Sequence, residues 1–176
     1  LSVAANPSFR TQWLVCNVTN RPALVGERIA TFAAREVEGQ LIDIHPDDAP
    51  VLTDSADRVI QFYPQTMALG QAWYQGFCHL DVMSGDAVRA FLESTHEAYA
   101  RVVGDAFGKA VPGIFTDEPQ FRLPREPLVV PWSTDFPAIF QARRGYDLLP
   151  QLPALFFDTG EFHAARYDYW RTAAEL

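Results

Sequence analysis

Cysteine, basic charge and long apolar runs are all scarce in this chain, and each shortage removes a class of explanation. Its two cysteines, Cys16 and Cys78, lie far apart among 176 residues and form no Cys-x-x-Cys pair. Neither a zinc site nor a disulfide framework is indicated, and free buried thiols are the simpler reading. The 14 basic residues are outnumbered by 22 acidic ones, giving a formal charge of −8 and a pI near 4.9. That balance repels phosphate backbones and anionic lipid surfaces, which argues against nucleic-acid and membrane partners. The longest apolar stretches, such as PALFF at 153–157, fall far short of the roughly 18 residues that span a bilayer. No basic segment followed by an apolar core opens the chain. A soluble protein without an export signal is expected, with a cytoplasmic location favoured. Internal repeats and low-complexity tracts are also missing.

What is present is enough for a core: 48% of residues are hydrophobic and 13% aromatic, the content of one ordinary domain. The chain starts at Leu1 without methionine and stops inside ARYDYWRTAAEL, a segment with helical spacing and no cap. A piece of a longer protein is the expectation.

Local patterns give the elements. A strand is expected at about Gln12–Val18, among the turn formers of the first thirty residues. In TFAAREVEGQLIDIHP, two runs rich in Val, Ile and Leu flank Glu38-Gly39, which predicts a hairpin at about 31–44. RVIQFYP at 58–64 reads as a buried strand. The following stretch, QTMALGQAWYQGFCHLDVMSG, lacks a helical period and is crowded with aromatics and glycines, the composition of a functional loop around a short strand near 77–82. From Ser84, a candidate N-cap, the apolar stripe Val88, Phe91, Leu92, Thr95, Tyr99, Val102 and Val103 predicts a helix that Gly104 ends. Val111, Ile114 and Phe115 then predict a strand buried on both faces. Strand, helix and strand make a βαβ unit, hence a parallel sheet with a right-handed crossover. Past Pro119 a proline-punctuated loop is expected over 120–135. A helix then starts near Ser133, Thr134 or Asp135, with Pro137 in its first turn and Gly145 after its end.

The chemistry centres on VPGIFTDEP, residues 111–119. In parallel α/β proteins ligands gather beyond the C-terminal strand ends, where Asp117 and Glu118 are expected. Strand alternation sends the two carboxylates to opposite faces, and Pro119 biases Glu118 toward extended backbone. A partly desolvated carboxylate there is suited to general acid work, as in glycoside hydrolysis. A solvated turn or an N-cap accounts for the same acidic pair. Trp73, Tyr74 and Trp132 are candidate sugar-stacking platforms, with core packing as the alternative. His79 and Asp81 are candidates for hydroxyl recognition or for the partner carboxylate; a satisfied core histidine and a cap before the Ser84 helix are the plainer roles. An acidic rim could also hold calcium through oxygen ligands.

LDVMSGDAVRAFLESTHEAYARVVGDAFGKAVPGIFTDEP, followed by PWSTDFPAIFQARRGYDLLPQLPALF and RYDYWRTAAEL, resembles the barrel domain of glycoside hydrolases of the α-L-rhamnosidase type, family 106. The resemblance covers roughly residues 58–176. It implies a partial TIM-type (β/α) barrel over 58–176, preceded over 1–57 by a β-hairpin and loop region. It further implies a carbohydrate substrate, Glu118 as catalytic acid or base, and a second glutamate and calcium ligands from a later strand; in an enzyme Asp117 would orient Glu118 or serve as a barrel-stabilising partner. A whole barrel needs about 250 residues, so half of the carboxylate pair is expected outside this chain. A non-catalytic carbohydrate-binding segment and an inactive structural fragment are the alternatives.

Overall fold

A computed structural model describes residues 3–20, 27–115, 120–121, 123–125 and 128–176. Its strands, in chain order, are β1 (Gln12–Thr19), β2 (Ala30–Val37), β3 (Gln40–Pro46), β4 (Asp57–Thr66) and β5 (Val129–Trp132). Its helices are α1 (Gly85–Ser94), α2 (His96–Val103), α3 (Phe136–Arg144), α4 (Leu152–Phe156) and α5 (Phe162–Ala174). The chain divides into two compact units, one of residues 12–65 and 123–175, the other of 1–11, 66–122 and 176.

The first of these is built on one five-stranded antiparallel curled sheet in the order β3-β2-β4-β1-β5. This overturns the parallel (β/α) barrel. The physical reason lies in the connections. Parallel neighbours need a crossover of a dozen or more residues, whereas β2 and β3 are joined through Glu38 and Gly39 alone, and β2 pairs antiparallel with β4 from Ala30↔Phe62 to Arg35↔Asp57. The β2–β3 turn has both central residues at positive φ, 51° and 79°. That is the geometry whose twist suits a two-residue hairpin, so the expected hairpin forms. β5 arises inside the stretch expected to be loop. It pairs only with β1, Trp13 facing Pro131, and an edge strand tolerates a proline that cannot donate to the ladder.

Side-chain alternation gives β4 two distinct faces. Ile60 and Phe62 turn to the apolar side, where Phe62 meets Phe32 edge-on at 5.7 Å and Phe156 at 5.8 Å. Leu14, Val130 and Trp132 share that side by register, and Phe136, Phe140, Leu148, Leu152 and Tyr169 fill out the core from the helices. Each large side chain removed from water there contributes roughly 2–3 kcal/mol. Tyr169, fully buried, donates its hydroxyl to the Pro131 carbonyl and so ties α5 to β5. Gly145, at φ 83°, ends α3 with its N–H on the Gln141 carbonyl at 2.9 Å, the expected helix stop.

In the other unit the expected single helix over 84–104 is two. Ser84 does cap α1, its hydroxyl accepting the Ala87 N–H. The break falls at Thr95, whose Oγ1 donates to the Phe91 carbonyl at 2.6 Å while Ser94 Oγ donates to the same oxygen at 3.0 Å. Consecutive hydroxyl side chains competing for a helix carbonyl interrupt the ladder. The expected buried strand at 111–115 is absent too. Val111 makes one isolated bridge with Phe107, and Ile114 and Phe115 stand 63% and 86% exposed. Pro112 lacks an N–H and Gly113 a side chain, so the run can neither complete a ladder nor pack as one. Without that strand the βαβ unit does not exist.

Candidate functional site

Asp117 and Glu118, the expected catalytic pair, lie outside the described residues. With no strand over 111–115 there is no parallel strand end for them to occupy, and their candidacy rests on the TDEP motif and the family resemblance. The remaining candidates separate. Trp73, Tyr74, His79 and Asp81 belong to the unit containing 66–122, and Trp132 to the sheet unit.

Residues 70–77 form a loop closed by its own backbone. Gly70 N–H donates to the Gly76 carbonyl at 2.8 Å, Gln71 N–H to Phe77 at 3.1 Å, Gly76 N–H to Gln71 at 3.0 Å and Phe77 N–H to Tyr74 at 2.9 Å. The tight path requires positive φ at Gly70 (90°), Gln75 (54°) and Gly76 (86°), which explains why glycines bracket the aromatics. At the tip, on a single 3-10 turn of Ala72–Tyr74, the Trp73 indole is 83% exposed. A large flat apolar group held in water by a self-bonded loop is organised for contact with something else.

Beneath it, the Tyr74 ring meets the His79 imidazole at 5.7 Å in an edge arrangement. His79 Nδ1 lies 2.8 Å from the Leu80 carbonyl, and Thr11 Oγ1 donates to that same carbonyl at 2.7 Å. Thr11 Oγ1 also lies 3.1 Å from Nδ1, so the ring is held by its Nδ1 edge. Around it, Thr11 N–H bonds the His79 carbonyl and Asp81 N–H the Phe9 carbonyl, so the strand expected near 77–82 is reduced to the bridge Arg10↔Leu80. Asp81 is buried, its Oδ1 accepting the Met83 N–H at 3.0 Å and its carbonyl the Ser84 N–H. It thus shapes the turn entering α1, the plainer of its two expected roles. Trp132 is 3% exposed and packs on Phe136 at 5.9 Å, so its indole serves the core.

Two features went unread in the sequence. One is a groove of about 710 Å³ walled by Phe91, His96, Tyr99, Phe107, Ile114 and Phe115. Its signal in the sequence is the helix stripe itself, which supplies Phe91 and Tyr99 to the wall. The other is the second face of β4, where Gln61, Tyr63 and Gln65 recur at period two. Among the described residues there is no group of three or more His, Cys, Asp or Glu side chains suited to a metal, and no chemistry is derived through calcium. No helix among them is long and apolar enough to cross a membrane. No family model, curated protein or solved structure matches this chain.

Proposed function

We propose that this chain engages carbohydrate and serves a glycoside hydrolase, with Trp73 as the stacking platform and Glu118 as the acid or base. The observation that carries the sugar reading is the exposed Trp73 indole on its closed loop. The C–H face of a pyranose is flat and apolar, so covering Trp73 with it removes apolar area on both partners without ordering a flexible side chain. Tyr74 and the polarised His79 beside it supply polar groups for the ring hydroxyls.

The hydrolytic step rests on the TDEP motif and the family resemblance. In it, the protonated Glu118 carboxyl gives its proton to the glycosidic oxygen as the C–O bond breaks, and a second carboxylate activates water or attacks the anomeric carbon. Asp117 orients Glu118. Rhamnosides are the first substrates to try.

Two measurements test the parts separately. Titrating neutral sugars, L-rhamnose first, should change tryptophan emission in the parent and change it clearly less in Trp73→Ala; a response of full parental size in that variant refutes the platform. In the full-length protein that supplies the second carboxylate, turnover of p-nitrophenyl α-L-rhamnoside should fall at least 100-fold in Glu118→Gln, the scale of a lost general acid. Equal turnover would remove Glu118 from the chemistry and leave the binding reading standing.

A further inference from the structure

The face of β4 opposite the apolar core is buried as well, yet it carries amides and a hydroxyl. Gln61 is 1% exposed, and among the described residues neither its Nε2 nor its Oε1 has a hydrogen-bond partner. It stands on the same face as Tyr63 and Gln65, and across the ladder it is registered with buried Thr31. Cross-strand neighbours of this kind have Cβ atoms about 4.5–5.5 Å apart. Two residues along, on the same face, Gln65 Oε1 accepts the Trp13 indole N–H at 3.0 Å, and both of those side chains are only half-buried. The strip therefore runs from a half-exposed outer end, Trp13 and Gln65, to an enclosed inner end at Gln61 and Thr31.

A buried amide with both groups unpaired is destabilising, since it gives up its hydrogen bonds to water without replacement. A methionine or leucine would fill the same volume more favourably. Residues that break the packing rule in this way concentrate where a ligand supplies the missing partners. An amide presents one donor and one acceptor side by side, which matches the two oxygens of a vicinal diol, one accepting from Nε2–H and the other donating to Oε1. The Thr31 hydroxyl extends the row, and the pinned Trp13 indole offers a flat wall at the outer end.

From this we infer that the Gln61 face of β4 is a second recognition site, for a vicinal-diol ligand of the sugar class, entered from the Trp13–Gln65 end. It rests on the carbohydrate reading proposed above, but on a different element and different residues. Binding there gives the amide partners that the described side chains around it do not supply, so recognition and stability are in opposition at this one position.

The test follows from that opposition. Gln61→Met keeps the length and removes the hydrogen-bonding groups; Gln61→Leu is the second variant. Thermal melts of both, and calorimetric titrations with L-rhamnose and D-galactose, are compared with the parent and with Trp73→Ala. The expected result is a higher Tm for Gln61→Met and at least tenfold weaker sugar binding, with binding at this site retained in Trp73→Ala. Parent-like sugar affinity in Gln61→Met overturns the inference while the carbohydrate reading survives. A lower Tm, or failure of both Gln61 variants to fold, overturns it as well, because the amide would then be a required structural partner. A parent that binds no neutral sugar refutes the carbohydrate reading, and this inference falls with it.

Discussion

At the scale of single residues, burial decides chemistry more strongly than residue type does. Cys16 sits in β1 on the core side, and burial pushes its thiol up to about 12. Cys78 is buried in the other unit, where burial also raises its thiol while the Arg10 charge works weakly the other way. The thiolate is the nucleophile, so neither side chain should react with Ellman's reagent at pH 8 in the native protein, and both should in concentrated guanidinium. Cys16 also makes an alkaline prediction with a defined sign. Its folded pKa lies above the unfolded value near 9, so the native state holds the proton more tightly. The stability this contributes is complete below about pH 9 and is lost as pH rises toward 12. In melts from pH 8 to 11, the Tm of Cys16→Val should fall less steeply than that of the parent. Parallel curves would mean that the thiol ionises without opposing the fold.

At the scale of elements, the hairpin offers the sharpest check of local sequence chemistry. Both turn residues have positive φ, Glu38 at 51° and Gly39 at 79°. A side chain at Gly39 meets no atom within 4 Å, so Gly39→Ala isolates the backbone cost, about 1–2 kcal/mol for an L-residue held left-handed. Glu38→Asn should act oppositely and stabilise by up to roughly 1 kcal/mol, because asparagine tolerates that region. Urea midpoints of the two variants should therefore lie on either side of the parent's; a Gly39→Ala midpoint at or above the parent's would sink the argument. The hairpin was legible because its signal is contained in adjacent residues, and the same holds for β1, β4, the Ser84 cap and the Gly145 stop. The run 111–115 failed for the complementary reason. Val111, Ile114 and Phe115 have the apolarity of a strand, but whether a strand forms depends on a partner ladder. Pro112 and Gly113 weaken that option locally, and apolarity alone does not make up for them.

At the scale of the whole chain, what escaped the sequence was pairing. The alternation in β1, β2 and β4 sets which side chains share a face, but not whether neighbours run parallel, and the inferred βαβ unit supplied the wrong orientation for the sheet. Local pattern likewise marks an apolar stripe on α1 and α2 without saying what covers it, and Phe91, Tyr99 and Val102 are exposed. This difference between the units has an energetic consequence. The unit of 12–65 and 123–175 buries Leu14, Ile60, Phe62, Phe136, Phe140, Leu148, Leu152 and Tyr169 almost completely, whereas the buried apolar residues within 66–115 are Cys78, Met83 and Ala87. Hydrophobic burial is the main favourable term in folding, and segments with few buried apolar groups open at lower free energy than the core strands and helices. Native-state hydrogen exchange followed by mass spectrometry should therefore show the amides of α1 and α2 exchanging well before those of β4 and α5. Mild denaturant should narrow the gap, because the sheet unit exposes more surface when it unfolds and its opening free energy therefore falls faster. Uniform protection across α1, α2, β4 and α5 would show instead that the chain opens as one cooperative body, and that the thin core around Met83 and Ala87 is not the limit on its local stability.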